Sequence, residues 1–342
     1  MRTIINIDGG VGRVISAIPA LLKYAKLHEN EDWYVMIPGW DIMTWGFSEL
    51  QERTFNPESK GIFENYYWNA DRVISPEPYK LPKFYRNEIG LREAFDVLIN
   101  ETDDHSDLPE MQLKLTLDEL IEAKQIVNNI RRQNNNKKVV VIQPFGSTAF
   151  QTEVGIYDKS MRSINHYMTK MLVDKLSKDY VIINMSSSNF GHESILNLQP
   201  DPSLRSWAAI IGEADYFIGC DSCGQHMAKA VGTPASVVVA GTHEVNMTYP
   251  NSFHIIKRDG VKYYSAPMRV SGLHSHLSDK LNEQRNQFTD DEINAAYKEI
   301  VKRIGKTKDK SVEIPSCAIP SAHQPKKEKE VKKEESKGFD IK

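Results

Sequence analysis

The chain has 342 residues, with 43 basic against 46 acidic side chains and a formal net charge of −3. That length suffices for two domains, each able to bury a core without disulfide or metal support. With 40% hydrophobic and 26% charged residues it reads as globular, and no stretch approaches the roughly 18 apolar residues of a membrane span. The opening MRTIINIDGG lacks the basic, apolar, small-residue order of an export signal, so a cytoplasmic protein without a transmembrane segment is expected, with peripheral membrane contact left open. Three cysteines, Cys220, Cys223 and Cys317, suit reduced thiols rather than a disulfide framework.

The charge is unevenly divided. From Lys306 to Lys342 ten Lys face seven acidic residues, which leaves −6 on residues 1–305. An acidic body argues against indiscriminate nucleic-acid binding, which depends on Lys and Arg neutralising phosphates. Residues 306–342 end in KKEKEVKKEESKGFDIK, with few residues able to anchor them in a core, and are expected to be a disordered charged tail.

In chain order, RTIINI (2–7) is a buried-strand pattern followed by a glycine turn and an amphipathic stretch from Val14 to about Leu27. WYVMI (33–37), DRVI (71–74) and FDVLI (95–99) are further strand candidates. Thr116 with Glu119 forms a capping box for a helix reaching about Arg132, and the polar QNNNKK (133–138) reads as a hinge. The pattern then restarts with KVVVIQP (138–144), a helix from about Ile164 to Ser177, and strands YVIINM (180–185), DYFIGC (215–220) and ASVVVA (235–240). Helical segments near 204–213 and 224–231 separate the later strands, and Thr289 with Glu292 caps a last helix. Two such arrays predict two Rossmann-like domains, with ligands at the carboxyl ends of the strands.

Three constellations stand at those ends. Asp8-Gly9-Gly10-Val11-Gly12-Arg13 joins a strand to a helix, where Gly10 and Gly12 let backbone N–H groups approach an anion. The dinucleotide glycine pattern fails, since Ile15 occupies its third position, and Arg13 in a first helical turn opposes the helix dipole. In Cys220-Asp221-Ser222-Cys223-Gly224-Gln225-His226, Ser222, Gly224 and His226 can offer hydroxyl, backbone N–H and imidazole donors to a diphosphate. The Cys-x-x-Cys spacing has no second pair to complete a zinc site and reads as packing. Gln143-Pro144-Phe145-Gly146-Ser147, with Lys159 and Arg162 downstream, is a plausible phosphate cradle. Among the aromatics of the first half most are expected in the core, while Trp40 and Trp45 follow a strand end and suit an acceptor sugar.

Together these motifs resemble the lipopolysaccharide heptosyltransferase-like family of glycosyltransferases, family 9. The resemblance rests on GGVGRVISAIPAL (9–21), QPFGS through DKSMRSI (143–164), the Gly-x-Glu at 191–193 and GCDSCGQHMAKAVGTPASVVVAGT (219–242). The family's last motif, Asp-Ser/Thr-Gly-x-x-His-x-Ala-x-Ala-x-Gly-x-Pro, is matched by Asp221, Ser222, His226, Ala228, Ala230, Gly232 and Pro234, with Cys223 in the place of its glycine.

The resemblance implies an α/β GT-B fold, two Rossmann-like domains facing a cleft. Residues 1–136 would form the acceptor side and 137–305 the nucleotide-sugar side. It implies inverting transfer from a nucleotide sugar, ADP-heptose-like, to a glycan hydroxyl, with no metal or other cofactor. Ser222, Gly224 and His226 would hold the donor diphosphate, Asp221 would belong to the same donor-binding set, Lys159 or Arg162 would neutralise the leaving nucleotide, Ser147 would lie beside the phosphates, and Glu193 would bind the ribose. The family's aspartate base falls at Arg13, which cannot accept a proton. Asp8 is the nearest carboxylate, so Asp8 and Arg13 are the catalytic candidates. A nucleic-acid base or other unusual acceptor, or a nucleotide-sugar-binding protein without catalysis, remain the alternatives.

Overall fold

The computed structural model describes residues 1–153, 155–158, 160–186, 191–258, 260 and 283–308. Lys159, Cys317 and the expected disordered tail beyond 308 lie outside the described residues.

Strands β1 (Arg2–Asn6), β2 (Asp32–Met36), β3 (Thr54–Phe55) and β4 (Arg72–Ile74) form a parallel sheet in the order β3-β2-β1-β4. Helices α1 (Val11–Leu27), α2 (Ser48–Gln51), α3 (Pro82–Tyr85) and α4 (Leu91–Asn100) accompany it, and α1 packs along α4. FDVLI (95–99), expected as a strand, lies inside α4. The buried Leu91, Ala94, Phe95 and Ile99 follow the helical spacing, and the apparent alternation at 95–99 is one short sample of that face.

Helix α5 (Leu117–Gln133) opens with the expected box: Glu119 N–H donates to Thr116 Oγ1 at 3.1 Å, and Thr116 N–H donates back to Glu119 at 2.7 Å. The polar turn after it leads into β5 (Val139–Gln143). A short antiparallel hairpin follows, β6 (Ala149–Thr152) and β7 (Gly155–Asp158), and then α6 (His166–Leu176), β8 (Val181–Asn184) and β9 (Ile195–Asn197). The chain continues through α7 (Leu204–Glu213), β10 (Tyr216–Gly219), α8 (Cys223–Ala230), β11 (Ala235–Val238), α9 (Glu244–Met247), β12 (His254–Ile256) and α10 (Asp290–Ile304).

The second sheet is parallel in the order β12-β11-β10-β5-β8-β9. Every residue of β5 and β10 is buried, as expected of central strands covered by helices on both faces. Helix α5 packs on α7, so the helix before the polar turn rides with the second sheet, and α10 packs on α6. Across the two halves α1 contacts α8, and one apolar cluster runs through both. No helix among the described residues is long and apolar enough to cross a membrane.

Candidate functional site

A cavity of about 660 Å³ lies between the halves, a size typical of small-molecule sites, which span roughly 300–1,000 Å³. Its walls come from the carboxyl ends of parallel strands: Gly10–Arg13 after β1, Gln143 and Phe145–Thr148 at β5, Met185 and Ser186 after β8, and Asp221–Cys223 after β10.

The second half builds its wall from polar groups with few internal commitments. Ser222 is the N-cap of α8, yet its side chain makes no capping bond. Ser147 is exposed at the rim. Arg162 donates through Nε to Ser160 Oγ at 3.1 Å, and its two Nη groups have no hydrogen-bond partner among the described residues. Burial is the largest influence and works against its charge, but Asp221, Tyr79, Asp158 and Cys220 together outweigh it and raise its pKa.

The loop carrying these groups is held by Asp158. Its Oδ1 accepts from Thr148 Oγ1 (2.8 Å), Ser160 N (2.8 Å) and Ser160 Oγ (2.7 Å), and its Oδ2 accepts from Ser163 N (3.1 Å) and Ser163 Oγ (2.6 Å). Ser163 Oγ in turn accepts from Gly146 N–H at 2.9 Å. Burial pushes the Asp158 pKa up, but the bonds from Ser163, Ser160 and Thr148 outweigh it and hold the carboxylate below its usual range.

Asp221 faces the cavity but is only 2% exposed, and burial raises its carboxyl pKa against the pull of Arg162. His226 also lines the cavity at 4% exposure; burial, helped by the Arg162 charge, pushes its pKa down to about 4, so the imidazole is neutral near pH 7. Gly224 departs from expectation. Its N–H donates to Gln143 Oε1 at 2.8 Å instead of serving the cleft, and a Cβ there would stand 2.6 Å from that oxygen and from Phe217 Cζ. Packing therefore explains this glycine. Cys220 and Cys223 are free thiols whose pKa values burial raises, and Cys223 Sγ accepts from Gln143 Nε2 at 3.4 Å, consistent with packing.

The first half is built differently. Gly10 begins α1, and Gly12 lies so close to His226 that a Cβ would be 2.6 Å from the ring's Cδ2. Arg13 is 8% exposed and lines the cavity, but Nη1 pairs with Glu77 Oε1 at 3.0 Å and Nη2 donates to Pro76 O at 3.3 Å. Its guanidinium also lies 5.5 Å from the Tyr79 ring centre and 5.6 Å from that of Phe95. Asp8 is exposed, accepts from the N–H of Gly9 at 2.6 Å and is not among the cavity residues. Trp40 lines the cavity, whereas Trp45 lies beneath Arg205, 5.8 Å from its ring centre. Glu193 is exposed and stands apart from the cavity wall.

Sequence reasoning passed over Glu77, Tyr79, Asp201, Ser203 and Trp207. Only Ser203 carried a signal, as a helix-start residue; it caps α7 by accepting from Ser206 N–H at 3.1 Å. Among the described residues no group of three or more His, Cys, Asp or Glu stands together as a metal cage.

No family model matches the chain, and no curated protein matches it in sequence. Solved structures do. The chain is similar to the E. coli ADP-heptose lipopolysaccharide heptosyltransferase II, at 13% identity and TM-score 0.57, over 90% of this chain and 99% of that one. It is similar to the iron-containing dodecameric glycosyltransferase TibC of enterotoxigenic E. coli H10407, at 10% identity and TM-score 0.60, over 90% of this chain and 80% of that one. A family 9 glycosyl transferase from Veillonella parvula DSM 2008 matches at 11% identity and TM-score 0.54, over 75% of this chain and 84% of that one. These likenesses establish the fold: two Rossmann-like halves around a cleft, the GT-B arrangement.

Proposed function

We propose that the protein is an inverting glycosyltransferase that moves a sugar from a nucleotide sugar to an acceptor hydroxyl, holding the donor phosphates with protein groups and no metal. The observation that carries this reading is the asymmetric cavity, with uncommitted anion donors on one wall and a glycine-lined opening on the other.

Glycosyl transfer builds positive charge on the sugar ring and negative charge on the departing diphosphate, so it needs fixed donors at the phosphates and a base at the acceptor. In this reading the donor diphosphate lies against the N-terminus of α8, between Ser222, His226, Ser147 and Arg162. Lys159, three positions before Arg162 in the sequence, is a second candidate cation, and Asp221 shapes the site as the counter-charge to Arg162. The exposed Glu193 is retained as the ribose ligand proposed by resemblance. The acceptor enters from the first half, beside Gly10, Gly12 and Trp40. As its hydroxyl loses a proton to a carboxylate, its oxygen bonds to the anomeric carbon. The bond to the phosphate oxygen breaks on the opposite face, leaving the electron pair on the diphosphate; one such displacement inverts the sugar.

Two carboxylates compete for the proton. Asp8 stands at the end of β1, and Glu77 reaches the cavity wall through its ion pair with Arg13. Because the similar E. coli structure is an ADP-heptose heptosyltransferase, an ADP-heptose-like donor and a glycan acceptor are the first pair to test.

The test is a thermal-shift screen against ADP-, GDP-, UDP- and dTDP-sugars, followed by nucleotide release from any binder. A donor that binds the folded state raises the melting temperature in proportion to the logarithm of its saturation. Asp8→Asn and Glu77→Gln should separate the base from the bystander, the correct one lowering turnover about 100-fold or more while binding persists. A panel that leaves the melting temperature unchanged at millimolar ligand would overturn the reading.

A further inference from the structure

His226 occupies the seam between the halves, and its environment on the side away from the cavity belongs to no motif. Tyr249 follows α9 and places its hydroxyl 2.5 Å from Nδ1 of His226. The two rings meet edge to face, 5.6 Å apart at 90°, and Phe253 fixes the far side of Tyr249 in the same way, 5.5 Å apart at 89°. From the other half Ser16, on α1, brings its hydroxyl to 3.3 Å from the same Nδ1. Ser16 Oγ lies closer to Gly12 O, at 2.8 Å, and donates its one proton there. The phenol of Tyr249 also meets the Ser16 side chain, but its short 2.5 Å contact is to Nδ1, and we assign its proton to that bond.

A neutral imidazole carries one proton. With Nδ1 accepting from Tyr249, that proton resides on Nε2, the nitrogen on the side of Gly12, a residue that lines the cavity together with His226. Only this tautomer leaves an N–H on the ring edge turned away from Tyr249 and Ser16.

We infer that Tyr249 is a positioning residue: it locks His226 as the Nε2–H tautomer for an anionic ligand, with Ser16 closing the same network from the opposite half. This rests on reading the cavity as a nucleoside-diphosphate site. Burial supports it chemically, pushing the His226 pKa down and that of Tyr249 up, so both groups stay neutral across the physiological range. Gly12 completes the device, since the absence of a side chain lets α1 approach the ring.

The experiment uses the full chain labelled with nitrogen-15. A long-range proton–nitrogen spectrum of the imidazoles, with His226→Gln to assign the signal, reads the tautomer directly. Wild type is expected to show His226 as a single Nε2–H form, and Tyr249→Phe a mixture of both tautomers. Titration with ADP, UDP and inorganic pyrophosphate should give affinities about tenfold weaker in Tyr249→Phe, equivalent to one lost charge-assisted hydrogen bond. An Nδ1–H form in wild type overturns the inference even if the variant fails to fold, and so does a folded Tyr249→Phe that keeps the wild-type tautomer. Should none of the three anions bind wild type, the donor-site reading falls, while the tautomer still decides whether Tyr249 locks the ring.

Discussion

The two walls of the cleft use the same backbone device and commit their side chains in opposite ways. Each is a parallel strand, a short turn and the N-terminus of a helix, α1 on one side and α8 on the other. On the α8 side the Ser222 hydroxyl makes no capping bond and meets the Cys223 thiol, while the Nη groups of Arg162 keep donors without hydrogen-bond partners among the described residues. On the α1 side the one cation, Arg13, is paired with Glu77, bonded to a backbone carbonyl and flanked by two rings. A helix N-terminus is therefore not by itself a binding site. What distinguishes the walls is whether the polar groups around each turn already satisfy one another.

The largest expected effect concerns what holds the α8 side together. Asp158→Ala leaves the hydroxyls and amides of Thr148, Ser160 and Ser163 without their shared acceptor and should lower stability by about 4 kcal/mol in chemical denaturation. A loss below about 1 kcal/mol would mean that the loop is ordered by something else. Next comes a pH effect on the same side. His226 has a pKa near 4 when folded, against about 6.5 in an unfolded chain. Between those values the unfolded chain binds the extra proton, so stability falls as pH drops from about 6.5 to about 4, by up to about 3 kcal/mol. His226→Gln should flatten that slope; parallel wild-type and variant slopes would show that the ring is not buried against Gly12.

The smallest effect is the sharpest discriminator. Arg162→Ala should weaken ADP binding about 30-fold, roughly 2 kcal/mol, with little change in melting temperature. Arg13→Ala should instead lower stability by about 2 kcal/mol and leave ADP affinity within about threefold. Paired calorimetry and unfolding curves on the two variants decide it, and equal losses of affinity would erase the contrast between the walls.

Much of the architecture was legible before any coordinates. Central strands such as Val139–Gln143 and Tyr216–Gly219 read as unbroken apolar runs because both their faces are covered. The boxes at Thr116 and Thr289 announced helix starts because capping is a contact over three residues. FDVLI misled because five residues cannot distinguish a period of 2 from one of 3.6. Within the site, Ser147, Arg162, Ser222 and His226 converge as their motifs suggested, since each follows a strand end. Gly224, Glu193 and Asp8 do not join the cavity wall, because turn geometry and the path of a loop decide where a backbone N–H or a carboxylate is aimed.

By itself the sequence determined what short-range physics controls: the alternation of strands and helices, the two strand-to-helix turns and the spacing of the Asp221-to-Pro234 motif. The tertiary structure alone decided which polar groups are free. Arg13 meets a carboxylate 64 positions away, and His226 meets a serine 210 positions away. Such partners are set by how the sheets and helices pack, and a buried charge or imidazole takes whichever hydrogen-bond partners that packing brings within reach.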